Sequence, residues 1–292
     1  MSWRVTVPCT RAQGEAVGAM GELAGYGDNA PVLVAEESDE SRPDEWLVHA
    51  YFDHEPESVD IALLSNLGSG PPSIEKLGEA DWVRMSQAGL EPIRAGRFTV
   101  HTPTWPPEPE RINFEIDAGL AFGTGQHATT AGCLAALDGL ERDGVRFRNI
   151  ADIGTGTGLL AFAALKLWPE AKCIATDIDS VAVDVARENA IINGMGLGHG
   201  TGELLLTVAD GMDSPMLAAR AKFDLIIANI LAGPLIELAP DFVNALAPGG
   251  TVVLAGVLDA QAQGVAQAYE SRGLSLIRRA SGEWPVLTLQ QS

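Results

Sequence analysis

The stretch "IADIGTGTGLLAFAAL" (residues 150–165) constrains the fold more than any other part of the chain. An apolar run meets a turn, Asp152-x-Gly154-x-Gly156-x-Gly158, and a second apolar run of helical composition follows. Glycines let the backbone turn sharply and approach a ligand without a Cβ in the way. The helix that starts there offers free N–H groups. From Asn149 onward the apolar strands "NIADIG", "KCIATDID", "ELLLTVAD", "FDLIIANI" and "GGTVVLAGVL" alternate with helical stretches such as "VAVDVARENAIING". Such alternation predicts a parallel sheet covered by helices on both faces. The last two strands, "LSLIRRAS" and "EWPVLTLQ", leave no room for a crossover helix. They are expected to pair antiparallel at the sheet edge, for seven strands in all.

A dinucleotide-binding turn would read G-x-G-x-x-G, with its third glycine where Leu159 stands. The form found here, with a preceding acidic residue, resembles the class I S-adenosylmethionine-dependent methyltransferases, whose cofactor has no pyrophosphate to cradle. Asp177, at the tip of the second strand and 23 residues beyond Gly154, is the expected acceptor for the ribose hydroxyls. Asp179 reads as a helix cap. Asp210, at the end of the third strand, is expected to face the adenine amino group, against a reading as a turn aspartate. Asn229 ends the fourth strand beside the first, at the topological switch point where ligands bind in such sheets. It is followed by Ile-Leu-Ala rather than by a proline-aromatic clamp, which favours a flexible amine over a planar base as acceptor.

The first hundred residues read β-α-β-β-α, with a further strand near "GRFTVHT", and suit a ferredoxin-like sandwich. "HTPTWPPEPE" (residues 101–110) holds four prolines in ten and reads as a linker, or else as a surface loop within one domain. The expected organisation is a recognition domain over 1–98, a Pro-rich linker over 99–116 and an S-adenosylmethionine-dependent domain over 117–292. The fold class is α/β. A Rossmann-like class I methyltransferase sheet, parallel with an antiparallel edge hairpin, carries a small N-terminal α+β ferredoxin-like domain.

A second glycine segment, "GLAFGTGQHATT" (residues 119–130), comes only about twenty residues before the first strand of this sheet. Together with "DIGTGTGLLAFAALKL", "DIDSVAVDVARENAIING", "ANILAGPLIELAP" and a terminal "GEW", it resembles the PrmA family. These are the bacterial methyltransferases of large-subunit ribosomal protein eleven. The resemblance is dense from Asp117 to Leu258 and thinner in the first hundred residues. It implies S-adenosylmethionine as cofactor and methyl transfer to lysine side-chain amines and the N-terminal amine of that basic ribosomal protein. It also implies a small N-terminal domain that presents the substrate. Carried over by position, the cofactor contacts fall on Thr130, Gly154, Asp177 and Asn229, with Gly156 and Gly158 completing the loop. The glycine segment then reads as a lid in which Phe122 walls off the reacting methyl, against a reading as plain packing, and His127 is a candidate general base, against a reading as a loop-stabilising hydrogen-bond partner. Ala118 stands where the family often has proline. Two other readings stay open: a lysine methyltransferase of another protein, and a non-catalytic S-adenosylmethionine-binding regulator.

The chain's 19 basic and 39 acidic residues give a net charge of −20. That argues against direct nucleic-acid binding, which rests on neutralising phosphates, and favours a basic partner. No apolar run approaches the ~18 residues of a membrane span, and the start lacks a signal-peptide pattern. Cys9, Cys133 and Cys173 lack metal-ligand spacing, so no metal is expected and the thiols suit a reducing compartment. A cytoplasmic monomer is the expectation.

Overall fold

A computed structural model describes residues 2–20, 31–37, 44–52, 54–77, 92–116, 126–280 and 282–291. The chain divides into two compact units, Met1–Gly89 and Leu90–Ser292.

In the first unit, β1 (Ser2–Thr10), α1 (Arg11–Met20), β2 (Val32–Glu37), β3 (Glu45–Phe52), α2 (Ser58–Ser65) and β4 (Ser73–Leu77) follow one another. The four strands form an antiparallel sheet in the order β2-β3-β1-β4, the ferredoxin-like arrangement expected. Alternation along β1 sends Val5, Val7 and Cys9 to one face, where Val48, Ala50 and Phe52 of β3 and Leu64 of α2 join them. The start of α2 is fixed by the Glu57 N–H, which donates to the Asp60 carboxylate at 2.7 Å. The fourth strand of this sheet is Ser73–Leu77, not the "GRFTVHT" segment assigned to it from the sequence.

That segment lies in the second unit. There β5 (Ile93–Ala95), β6 (Phe98–His101) and β7 (Ile112–Glu115) make a three-stranded sheet, and the Pro-rich run is the connection between the parallel pair β6 and β7. The boundary drawn from the sequence at residue 98 therefore falls inside this sheet, and 99–116 is not a free linker. Composition suggested a spacer. The alternation of Phe98, Val100, Phe114 and Ile116, all buried, outweighed it. The Phe114 ring lies 5.9 Å from Phe98 and 6.2 Å from Phe162.

The large sheet follows. Its elements are α3 (Gln126–Arg142), β8 (Asn149–Ile153), α4 (Leu159–Leu167), β9 (Lys172–Asp177), α5 (Ser180–Ile192), β10 (Gly196–Leu197), β11 (Glu203–Val208) and α6 (Pro215–Arg220). Then come β12 (Phe223–Asn229), α7 (Ala232–Glu237), α8 (Ala239–Ala245), β13 (Leu246–Ala255), α9 (Asp259–Glu270), β14 (Leu274–Arg279) and β15 (Leu287–Gln291). The order is β10-β11-β9-β8-β12-β13-β15-β14, parallel through β13 and antiparallel at β15 and β14. The seven expected strands are present, with the two-residue β10 as an addition. Successive β8 residues serve opposite faces: Ile150 packs with α3 and α4, while Ala151 and Ile153 pack with α7, α8 and α9. Among the described residues no helix is long and apolar enough to cross a membrane.

Candidate active site

The site is built at the carboxyl ends of β8, β9 and β12. The glycine turn closes back on β9, with the N–H groups of Gly154 and Thr155 both donating to the Thr176 carbonyl, at 2.8 and 2.9 Å. Gly154, Gly156 and Gly158 have φ of +72°, +54° and +85°, values that side chains strongly disfavour. Each glycine has its own reason. A Cβ on Gly154 would meet Ile230 Cγ2 at 2.3 Å, and one on Gly158 would meet the Phe162 ring at 2.5 Å. A Cβ on Gly156 would meet nothing, because that residue faces open space in the cleft.

The carboxylate of Asp177 organises this loop from the next strand. One oxygen accepts from the Gly156 N–H at 2.9 Å and the other from the Asp179 N–H at 3.1 Å. Each oxygen keeps a free lone-pair direction for a further donor. Asp179 caps α5 by accepting from the Val181 N–H at 2.8 Å, as its position in the sequence implied.

Asn229 ends β12 and pairs with Ala255 of β13, so the next residues, Ile230 and Gly256, also meet. Gly256 has φ +84°, and a Cβ there would lie 2.4 Å from the Ile230 carbonyl oxygen. Ile230 is thus seated between two glycines, its side chain against Gly154 and its main chain against Gly256. From a third side the first turns of α3 bring in Thr129 and Thr130, both buried. Trp284, between β14 and β15, completes the wall. The cleft has a volume of about 450 Å³ and is lined by Thr129, Thr130, Gly154 to Thr157, Leu159, Leu160, Asn229 to Leu231, Gly256 and Trp284. None of these described lining residues is titratable.

Asp152 lies beneath the loop, fully buried, and accepts from the Thr155 hydroxyl at 2.6 Å. Burial pushes its carboxyl up to about 7, against the opposing hydrogen bonds from Thr155 and the Ala161 N–H, and with a further push from Asp177. Its Oδ1 has no hydrogen-bond partner among the described residues.

The cleft thus brings together Thr130, Gly154, Gly156 and Asn229 from the sequence reading, and Asp177 reaches it through the Gly156 N–H. Gly158 serves helix packing instead. Asp210 sits in the turn after β11, where its carbonyl accepts from the Asp213 N–H at 3.0 Å, and it does not line the cleft. Phe122 and the lid glycines lie outside the described residues, as does the side chain of His127, whose backbone belongs to α3. The sequence reading assigned no role to Ile230, Gly256 or Trp284. A signal for Gly256 existed in its place one residue past an apolar strand end, where a tight turn must begin.

The family described as "Ribosomal protein L11 methyltransferase (PrmA)" matches this chain over residues 8–292. The chain belongs to that family. A relative in Brucella suis, named ribosomal protein L11 methyltransferase, is 40% identical over 274 residues, which cover 93% of each chain. One of the same name in Agrobacterium fabrum is 41% identical and covers 91% of each. Among solved structures, the ribosomal protein L11 methylase of Lactobacillus delbrueckii subsp. bulgaricus is 28% identical with a TM-score of 0.58. It covers 70% of this chain and 99% of its own length. PrmA proteins are class I S-adenosylmethionine-dependent methyltransferases, and the residues present fit that cofactor. The open main chain at Gly156 and the half-committed Asp177 carboxylate suit a ribose. The hydroxyl of Thr130 and the amide of Asn229 offer hydrogen-bond donors and acceptors to the remainder.

Proposed function

We propose that this chain transfers methyl groups from S-adenosylmethionine to the lysine side-chain amines and the N-terminal amine of ribosomal protein L11, acting as a monomer in the cytoplasm. The observation that carries the reading is the cleft lining, which is polar through Thr and Asn but has no titratable group among its described residues. Bound there, the cofactor supplies an electrophilic methyl group on a good leaving group. The chain's own task is to hold an amine in line with it at about 3–3.5 Å. Asp177 and Gly156 hold the sugar, Thr130 and Gly154 the amino-acid end, and Asn229 accepts a hydrogen bond from the incoming amine.

A lysine arrives as an ammonium, with an ordinary pKa of ~10.4. An amine that gives up its hydration against a lining with no titratable group is disfavoured in its charged form, so the proton is shed to water on entry and no dedicated base is needed. The test is transfer of labelled methyl from S-adenosylmethionine to purified ribosomal protein L11, with mass mapping of the product. Label on lysines and on the N-terminal amine is the expected result, and Asn229→Ala should lose at least about tenfold in kcat. Label on another ribosomal protein alone overturns the substrate. Cofactor binding by calorimetry with no transfer to any protein overturns the enzyme reading in favour of a regulator.

A further inference from the structure

The chain holds 15 arginines but only four lysines: Lys76, Lys166, Lys172 and Lys222. Lys76 belongs to the first unit, where its ammonium lies over the Trp3 ring at 5.4 Å. The three in the second unit share one location. Lys172 opens β9, Lys222 immediately precedes β12, and Lys166 lies in the last turn of α4. The cleft is at the other end of these elements, beside Gly154 and Asn229. Five residue steps separate Lys172 from Asp177, about 17 Å at ~3.3 Å per residue, which is further than a lysine side chain reaches. The Lys222 ammonium is also engaged, donating to the Asn244 carbonyl.

Where the cleft end needs a cation it uses a guanidinium. Arg279 pairs with Asp259 at 2.5 Å, and the Asp259 N–H donates to the Glu283 carbonyl at 2.9 Å, next to Trp284 of the cleft wall. The other ion pairs described in this unit also use arginine. The distinction is chemical. An arginine keeps its proton in proteins, whereas a lysine amine is freed by desolvation. An amine tethered at the cleft mouth would face the cofactor at an effective concentration of order mM. It would compete with any substrate in solution.

We infer that the mouth of this cleft is kept free of the lysine amines of its own unit, so that Lys166, Lys172 and Lys222 are not methylated in cis. The inference rests on the methyltransferase reading above. In the avoided reaction the tethered lysine nitrogen bonds to the methyl carbon, the sulfur keeps the electron pair of the broken C–S bond, and the nitrogen's proton passes to water.

The test puts an amine back. Leu231 is 73% exposed at the cleft edge, and Arg279 lies outside the lining. The full chain, Leu231→Lys and Arg279→Lys are each incubated with labelled S-adenosylmethionine alone, with ribosomal protein L11 in a parallel sample. Titration with S-adenosylhomocysteine checks that each variant still binds the cofactor. The expected result is no label on Lys166, Lys172 or Lys222 of the unaltered chain. At least one variant should take up label at its new lysine, at a rate unchanged by tenfold dilution. Label on any of the three native lysines by a dilution-independent route overturns the inference. So does the absence of self-label from both variants while they bind cofactor and methylate L11. Loss of L11 labelling by the unaltered chain instead overturns the function on which the inference rests.

Discussion

The glycine turn over residues 151–158 and the Pro-rich run over residues 101–110 both announce themselves by composition, yet only the first reads correctly by itself. In the glycine turn the meaning is carried by the backbone: positive φ at Gly154, Gly156 and Gly158, and N–H groups tied to the next strand. A motif whose physics is local can be read locally. In the Pro-rich run the prolines forbid helix and ladder, but they do not say whether the ends are held. They are held. The Asn113 amide donates to the Glu108 and Arg111 carbonyls at 2.6 and 2.8 Å and accepts from the Glu108 N–H at 2.7 Å. Arg111 reaches back to the Phe98 carbonyl at 2.6 Å. Partners in the flanking strands convert an apparent spacer into a fixed connection.

The largest expected effect tests what lies beneath the glycine turn. A carboxyl whose pKa is about 7 in the fold and ~3.9 unfolded favours the protonated form when folded. Its stabilising contribution is complete below about pH 4 and is lost as the pH rises towards 7, up to about 4 kcal/mol at 1.36 kcal/mol per unit. Urea unfolding between pH 4 and 8 should show this fall in the unaltered chain. Asp152→Asn should remove that component of the slope. Equal slopes would mean that the turn does not rest on a buried acid.

Gly256→Ala comes next. The left-handed conformation costs a side chain about 1–2 kcal/mol, and contact with the Ile230 main chain adds about 1–3 kcal/mol of overpacking. Roughly 3 kcal/mol of lost stability is expected. Because Ile230 also rests on Gly154, cofactor affinity should fall with it. Unchanged calorimetric binding would show that the two glycines are independent.

Much of this molecule was legible beforehand for reasons that the same comparison supplies. The strand–helix alternation from Asn149 fixed the large sheet, and "LSLIRRAS" and "EWPVLTLQ" gave the edge pair because the chain between them is too short for anything else. The β5–β7 sheet was not legible. Its strands are three or four residues long, and their apolar side chains make sense only against α3 and α4, elsewhere in the chain. In the site, Asp177 and Asn229 could be found because strand ends point to the crevice. Ile230 could not, because its importance comes from two glycines far apart in sequence that leave it room. Trp284 arrives from the edge hairpin, which no local pattern connects to the cleft.

The smallest effect separates the two ways in which the Pro-rich run is held. Arg94 pairs with Glu108 at 2.6 Å, but Arg94 is 51% exposed, so water and salt screen the pair. Such surface pairs contribute about 0–1 kcal/mol, and Arg94→Ala should cost less than about 1 kcal/mol. Asn113→Ala removes three hydrogen bonds to part-buried main chain, each worth about 0.5–1.5 kcal/mol net, for a loss of roughly 2 kcal/mol or more. Urea midpoints at low and high salt distinguish the two. The Asn113 loss should be the same at both, while the small Arg94 loss should shrink as salt rises. If the two variants lost equal stability at low salt, the run would be held by charge rather than by the amide. The Pro-rich run would then be less like the glycine turn, which is held by hydrogen bonds from its main-chain N–H groups to the Thr176 carbonyl and the Asp177 carboxylate.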